Sequence, residues 1–396
     1  MWGEIMEEIK EKNKKLYKDT NLKIIFSITL MAVLGVSSIT PAFPKIAQVM
    51  NISKETVGLL ITVFTLPGVI LTPILGILAD RFGRKRILVP SLIVFGIAGG
   101  ACAFTSNFNI LLLLRFIQGV GAAALGSLNA TLIGDIYSGH ERAEAMGYNA
   151  SVLSIGTATY PAIGGALALL GWQLPFILPV LAVPIAFLVL YKLNNSEPKS
   201  TQNLLKYLTN AVKSINDRQV YVLFTAGVMT FILLYGAYLT YFPFIIEGTF
   251  GGTSFTTGLI MFIMSITTAI TSSQLRKLAE RFTVETLLKA AFLFFAVALV
   301  LVPFVPNLWL LLIPVVIIGM GQGINFPSNQ TILTGLAPME YRAAFMSING
   351  MVLRLGQTLG PLFMGLIFGL GGINAVFFVG ALLGILMSVL LILFLK

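Results

Sequence analysis

The segment Gly76-Ile-Leu-Ala-Asp80-Arg81-Phe-Gly83-Arg84-Lys85-Arg86 crowds one acid and four bases into a short stretch between two apolar runs. Charges so dense at a membrane face need carboxylate partners nearby and a backbone that can turn, which Gly83 supplies best at positive φ. The pattern suits an electrostatic latch. Two further arginines, Arg115 and Arg354, fall inside long apolar runs. A guanidinium at that depth is costly to place, so it faces protein or water and is a functional candidate by default. Arg354 lies too deep to reach either surface. None of the 16 carboxylates falls near the middle of an apolar run. Buried cations with no buried anion favour a substrate bearing a carboxylate or phosphate, which arginine grips with two parallel hydrogen bonds.

Polar side chains mark other candidate lining positions. Arg115, Gln118 and Asn129 form one stripe. Gln322, Asn325 and Asn329 form a second at i, i+3 and i+7. Asn349, Gln357, Tyr235 and Tyr238 complete the set. Each of these has two open readings, a substrate contact or a hydrogen bond that ties helices together, worth about 1 kcal/mol. Catalytic groupings are lacking. The single His140 lies in a polar loop, the single Cys102 excludes a disulfide framework and a cysteine metal site, and no nucleophile-base pair or phosphate loop occurs. No metal, cofactor or enzymatic activity is expected.

The elements that carry these residues are transmembrane. Apolar residues make up 57% of the 396 positions and charged residues 11%, against about 25% charged in a soluble domain. Twelve apolar runs are long enough to cross the bilayer core as helices: 22–44, 56–79, 87–105, 108–134, 142–168 and 174–192, then 219–246, 255–275, 285–305, 308–334, 342–368 and 373–395. The net charge of +10 does not indicate nucleic acid, because the Lys and Arg residues gather in alternate loops and at the termini. Lys45, Lys54, Arg115 and Arg354 are the exceptions. This positive-inside bias puts both termini in the cytoplasm.

Displacing the chain by 200 residues overlays Gly119 on Gly319, Gly121 on Gly321, Asn129 on Asn329, Asn149 on Asn349, Gly156 on Gly356, Pro161 on Pro361 and Gly165 on Gly365. Leu78-Ala-Asp-Arg-Phe82 likewise overlays Leu278-Ala-Glu-Arg-Phe282. The chain is therefore two copies of one unit. The expected architecture is an all-α membrane protein of 12 transmembrane helices, as two six-helix bundles related by a pseudo-two-fold along the membrane normal, with a binding site between them. Residues 1–21 form a cytoplasmic segment, 22–192 the first bundle, 193–218 a linker with an amphipathic surface helix, and 219–396 the second bundle. Arg115 overlays Val315, and Arg354 overlays Ser154. Neither arginine belongs to the duplicated scaffold.

The loop from Gly76 to Arg86 resembles the loop signature of the major facilitator superfamily at every defining position. Leu112 to Ala123, containing Arg115, resembles that family's fourth-helix motif. Gly156-Thr-Ala-Thr-Tyr160-Pro161-Ala-Ile-Gly164-Gly165 resembles the glycine-rich fifth-helix motif of its drug:proton antiporter branch, except that Tyr160 stands where the family has glycine. The eleventh span keeps the fuller version, Gly356-Gln-Thr-Leu-Gly360-Pro361. The resemblance implies a multi-pass plasma-membrane transporter that works as a monomer amid lipid, by alternating access. Its partners would be a small-molecule substrate and protons. It implies that Asp80 meets the start of the eleventh helix, that Arg84 pairs with Asp135 and that Arg115 is linked to proton movement; a structural bond from Arg115 to helix carbonyls stays open. The second copy has Thr283 and Val284 in place of Gly83 and Arg84, so the latch should be one-sided. Two functions are open: a proton-coupled exporter of drugs or other small amphipathic molecules, or an exporter or flippase of an anionic metabolite or lipid without required proton coupling.

Overall fold

The computed structural model describes residues 16–194, 217–337 and 342–395, and every regular element among them is helical. Hydrocarbon offers no partner for a free N–H or C=O, so a chain this apolar folds into segments that satisfy their own backbones. The long helices are α1 Thr20–Ser37, α2 Leu59–Phe82, α3 Arg84–Ala101, α4 Phe108–Ile136, α5 Gly139–Leu170, α6 Ala182–Lys192, α7 Arg218–Phe231, α8 Ser254–Ser273, α9 Val284–Leu301, α10 Leu312–Leu336 and α11 Arg342–Phe394. Their ends obey local chemistry. Asp19 accepts hydrogen bonds from the N–H groups of Asn21 and Leu22 at the start of α1, and Asn107 does the same for α4. Gly83, at φ 105°, separates α2 from α3, the positive φ that the loop sequence requires.

Ten helical stretches among the described residues are long and apolar enough to cross a membrane, against the twelve read from sequence. Two physical features account for the difference. The expected spans 342–368 and 373–395 run together in α11, which breaks only at Gly372, at φ 71°. Helix α10 has 25 residues, but Gln322, Asn325, Ser328, Asn329 and Gln330 dilute its hydropathy, and it is not among the ten. Helix α7 also departs from expectation. It continues without interruption into a π-helix, Ile232–Tyr241, and then an α-helical turn, Phe242–Gly248. The amphipathic helix expected in the linker falls on 195–216, outside the described residues.

Glycines let the helices meet at backbone distance. A Cβ on Gly119 of α4 would lie 2.1 Å from the Phe64 carbonyl oxygen of α2. The first-half and second-half helices meet along two such seams. In one, α5 crosses α8: a Cβ on Gly165 would stand 2.3 Å from the Ser254 oxygen, and one on Gly258 2.3 Å from the Pro161 oxygen. In the other, α2 crosses α11. Thr62 donates to the Thr358 carbonyl at 3.1 Å, the Thr65 and Thr358 hydroxyls are 2.9 Å apart, and Pro361 Cβ lies 3.1 Å from the place of a Gly58 Cβ. Both seams lie at the end of the molecule where α2 and α8 begin and α5 ends. Toward the opposite ends, a Cβ on Gly76, Gly134, Gly147, Gly335 or Gly350 would touch nothing within 4 Å. The halves are joined at one end and parted at the other.

Candidate functional site

A cavity of about 560 Å³ lies between the halves, beside the α5–α8 seam. Pro161 and Met261 line it near the seam, and it runs past Thr157 and Ser265 to Ser151, Ser154 and Ser272. Ser151, Ser154 and Ile155 are exposed, which marks its open side. Helix α5 contributes hydroxyls at 151, 154 and 157, and α8 contributes them at 265, 268 and 272. Each set repeats at helical spacing and so turns one face to the gap. These residues were missed in the sequence reading. The signal was present as hydroxyl stripes on two apolar helices, which are weaker markers than charges or amides.

Three of the expected lining residues, Tyr235, Tyr238 and Gln322, do line this cavity. Tyr235 and Tyr238 project from the π-helical part of the α7 stretch, where Thr240 donates to the Tyr235 carbonyl at 2.7 Å. The Tyr238 hydroxyl and Gln322 Oε1 are buried and find no hydrogen-bond partner among the described residues.

The amides on the other stripes tie helices together. Asn129 Nδ2 donates to the Thr29 hydroxyl at 2.7 Å, and that hydroxyl also donates to Asn149 Oδ1, joining α4, α1 and α5. Asn325 Oδ1 accepts from Thr230 at 2.8 Å, Asn329 Nδ2 donates to the Leu223 carbonyl at 3.3 Å, and Asn349 Nδ2 donates to Gln330 at 3.0 Å. Gln118 is fully buried against Arg115. None of these lines the cavity. Gln357 is half-buried, lies outside the lining set and makes no hydrogen bond among the described residues.

The two arginines occupy opposite environments. Arg115 has 0% exposure. It donates from Nε to the Leu60 carbonyl at 3.2 Å, from Nη1 to Gln118 at 2.7 Å and from Nη2 to the Gly35 carbonyl at 2.8 Å. Its guanidinium also stacks 4.3 Å from the centre of the Phe64 ring. It is enclosed, dry and bonded to α1, α2 and α4, and it does not line the cavity, which corrects its expected place beside substrate and matches the helix-carbonyl alternative. Arg354 reaches from α11 across to the first half. A Cβ on Gly68 of α2 would lie 2.4 Å from its Nη1, and one on Gly126 of α4 3.5 Å from its Nη2. The Tyr235 hydroxyl is close enough to interact with it electrostatically. Its guanidinium makes no hydrogen bond or ion pair among the described residues. It is half-buried between the halves rather than turned to lipid, and lies outside the lining set of the 560 Å³ cavity.

At the charged loop, Arg84 donates from Nε to Asp135 at 2.9 Å and from Nη1 to Asp80, so one nearly buried guanidinium binds both acids. Arg81 is exposed and stacks on Phe82, and Gly76 stands in open space. The pairing of Arg84 with Asp135 is present as expected. Asp80 pairs with Arg84, four residues along its own chain. Residues 338–341, which lead into α11, lie outside the described residues, as do the side chains of the first turn.

The fifth-helix and eleventh-helix motifs sit at the close crossings. Gly156 faces Leu30 and Val33 of α1, with Tyr160 folded back along its own helix so that Cε2 comes within 3.4 Å of a Gly156 Cβ position. Gly165 and Pro161 meet α8. A Cβ on Gly356 would lie 2.6 Å from the Val228 carbonyl oxygen, one on Gly360 3.0 Å from the Gly236 nitrogen, and Pro361 meets Gly58.

A chain of long apolar helices, paired across glycine seams around a central cavity, defines a membrane transporter rather than an enzyme. The Major Facilitator Superfamily profile matches residues 25–282 and 227–396, and the chain belongs to that family. Multidrug resistance protein 2 of Bacillus subtilis (strain 168) is 29% identical over 254 residues, which covers 62% of this chain and 63% of that protein; the match thus spans slightly less than two thirds of this relative. Quinolone resistance protein NorA of Staphylococcus aureus (strain COL) is 25% identical over 358 residues, covering 87% of this chain and 89% of that one. Among solved structures, the nucleoside transporter NupG superposes with a TM-score of 0.79 at 14% identity, over 96% of this chain and 100% of that one. At that identity the likeness speaks for the fold.

Proposed function

We propose that this chain is a secondary active exporter of small amphipathic molecules, driven by a proton gradient. The observation that carries the reading is the cavity of about 560 Å³ lined from α5, α7, α8 and α10, with hydroxyls, tyrosines and apolar surface on one wall or another. A mixed lining of this kind holds molecules that have both an apolar body and a few polar groups. The relatives named for multidrug and quinolone resistance support export, and the loop resemblance supports alternating access.

In this reading, residues 22–192 and 219–396 form two six-helix bundles in a twelve-span arrangement with both termini in the cytoplasm. The glycine seams then close the outer side, and the cavity opens inward. Rocking would part the α5–α8 and α2–α11 seams and close the parted end. Asp80, Arg81 and Arg84, anchored through Asp135, form the cytoplasmic latch of the closed-inside state; the pairing of Asp80 with Arg84 is its disengaged form. Arg115 holds the first bundle rigid, and Arg354 serves the charged step.

The test is efflux of the neutral amide of dansyl-phenylalanine from proteoliposomes of the purified protein under an imposed pH gradient. Gradient-dependent efflux that Gly165→Leu abolishes is expected, since leucine at the α5–α8 seam prevents its closure. Efflux that ignores the gradient would remove proton coupling, and absence of any flux in a correctly folded preparation would remove the exporter reading.

A further inference from the structure

Resting on the exporter reading, we infer that Arg354 is an anion-binding site between the two halves, and that the preferred cargo is an amphipathic molecule carrying a carboxylate.

The repeat locates the residue. Ser151, Ser154, Ile155, Thr157 and Pro161 of α5 line the central cavity, and the displacement of 200 maps Ser154 onto Arg354, Thr157 onto Gln357 and Pro161 onto Pro361. The face of α11 bearing Arg354 and Gln357 is thus the counterpart of the α5 face that borders substrate space. Where the first copy presents a hydroxyl, the second presents a cation.

The surroundings are shaped for a guanidinium that needs a guest. Gly68 of the opposite half lets the guanidinium pack against α2, so that a side chain at position 68 would displace it, and a Cβ on Gly126 would stand 3.5 Å from Nη2. Tyr235, on the cavity wall, interacts with it electrostatically. Arg115 spends its donors on two carbonyls and an amide, whereas Arg354 has five N–H donors and no acceptor among the described residues. Both Asp80 and Asp135 are engaged by Arg84 at the far end of α2 and α4. Among the described residues no carboxylate lies in the middle of a long apolar helix to neutralise Arg354 from within the protein. A planar carboxylate fits the fork with two parallel bonds, and a charge-assisted pair of that kind is about twice as strong as a neutral hydrogen bond. An ammonium-bearing cargo would instead meet like charge. The apolar body of the cargo would rest toward Tyr235, Tyr238 and Met264.

The experiment compares three fluorescent probes of related build on the full-length protein in lipid nanodiscs: dansyl-phenylalanine as the carboxylate, its neutral amide, and dansyl-cadaverine as the cation. The native protein should bind the carboxylate about tenfold more tightly than the amide, and the cation least. Arg354→Gln should erase the preference while leaving amide affinity and melting temperature as they were, and Arg354→Lys should restore part of it. Equal native affinity for carboxylate and amide overturns the inference. So does an Arg354→Gln variant that weakens all three probes alike, which would mark a structural peg. Flux of the same probes across proteoliposomes separates the two readings. Transport of the amide or the cation with no carboxylate preference sinks the anion site and keeps the exporter, whereas carboxylate binding without flux of any probe keeps the site and sinks the exporter.

Discussion

Arg115 and Arg354 meet the same difficulty, a permanent positive charge at membrane depth, and their surroundings answer it in opposite ways. Arg115 is wrapped by three helices, its N–H groups spent on carbonyls and an amide and its flat face on Phe64. Arg354 crosses between the halves into a notch made by two glycines, with no acceptor among the described residues. The two differ both in burial, Arg115 fully enclosed and Arg354 half-buried, and in the acceptors around them.

The comparison can be broken most forcefully at Arg115. Arg115→Met leaves the Gly35 and Leu60 carbonyls and Gln118 without their donor, at about 1–3 kcal/mol for each buried group stranded; a drop of several degrees or more in the melting temperature is expected, for every ligand condition alike. An Arg115→Met protein that melts like the native one would void the scaffold assignment. Next comes the seam, where Gly165→Val inserts methyl groups against the Ser254 carbonyl. Overpacking there costs about 1–3 kcal/mol, and cross-linking of cysteines placed at 157 and 265, which touch across the same helix pair, should fall because the crossing cannot close. Arg84→Ala leaves Asp80 and Asp135 facing each other unpaired; a loss of about 1–2 kcal/mol is expected from that partly buried site, with the double variant Arg84→Ala/Asp135→Asn recovering part of it. The smallest effect belongs to Arg354→Gln. With no bond to lose, its stability should stay within about 0.5 kcal/mol of native, and a large destabilisation would erase the contrast with Arg115.

Much of the site was legible in the sequence, for reasons that differ by residue. Gly83 announced its positive φ because five charged side chains around it required a turn, and Arg84 announced Asp135 through the loop resemblance. The depth of Arg354 followed from counting residues. The destination of Arg115 did not, because its acceptors are backbone carbonyls of Gly35 and Leu60, and a carbonyl carries no residue-type signature. The same blindness hid the role of Asn129, Asn325 and Asn329, whose partners are a hydroxyl or a carbonyl on another helix. The cavity wall of serines and threonines escaped because such hydroxyls often bond back to their own helix, as Ser154 does to the Ala150 carbonyl. The run-together α11 and the polar α10 leave ten long apolar helical stretches among the described residues where the sequence has twelve apolar runs.

The wide coil from Ile232 to Tyr241 gives the cavity wall a freedom that the surrounding lipid denies to most backbones. In a π-turn each N–H reaches one residue further back than in an α-turn, so the ladder can be re-threaded one rung at a time. Each such step would rotate the side chains before it by about 100°, carrying Tyr235 or Tyr238 toward or away from a guest. At no stage would a peptide group be left bare to hydrocarbon. A ratchet of this sort lets a wall of aromatic rings adapt to cargoes of different girth, a tolerance that a rigid α-helix would have to obtain by melting.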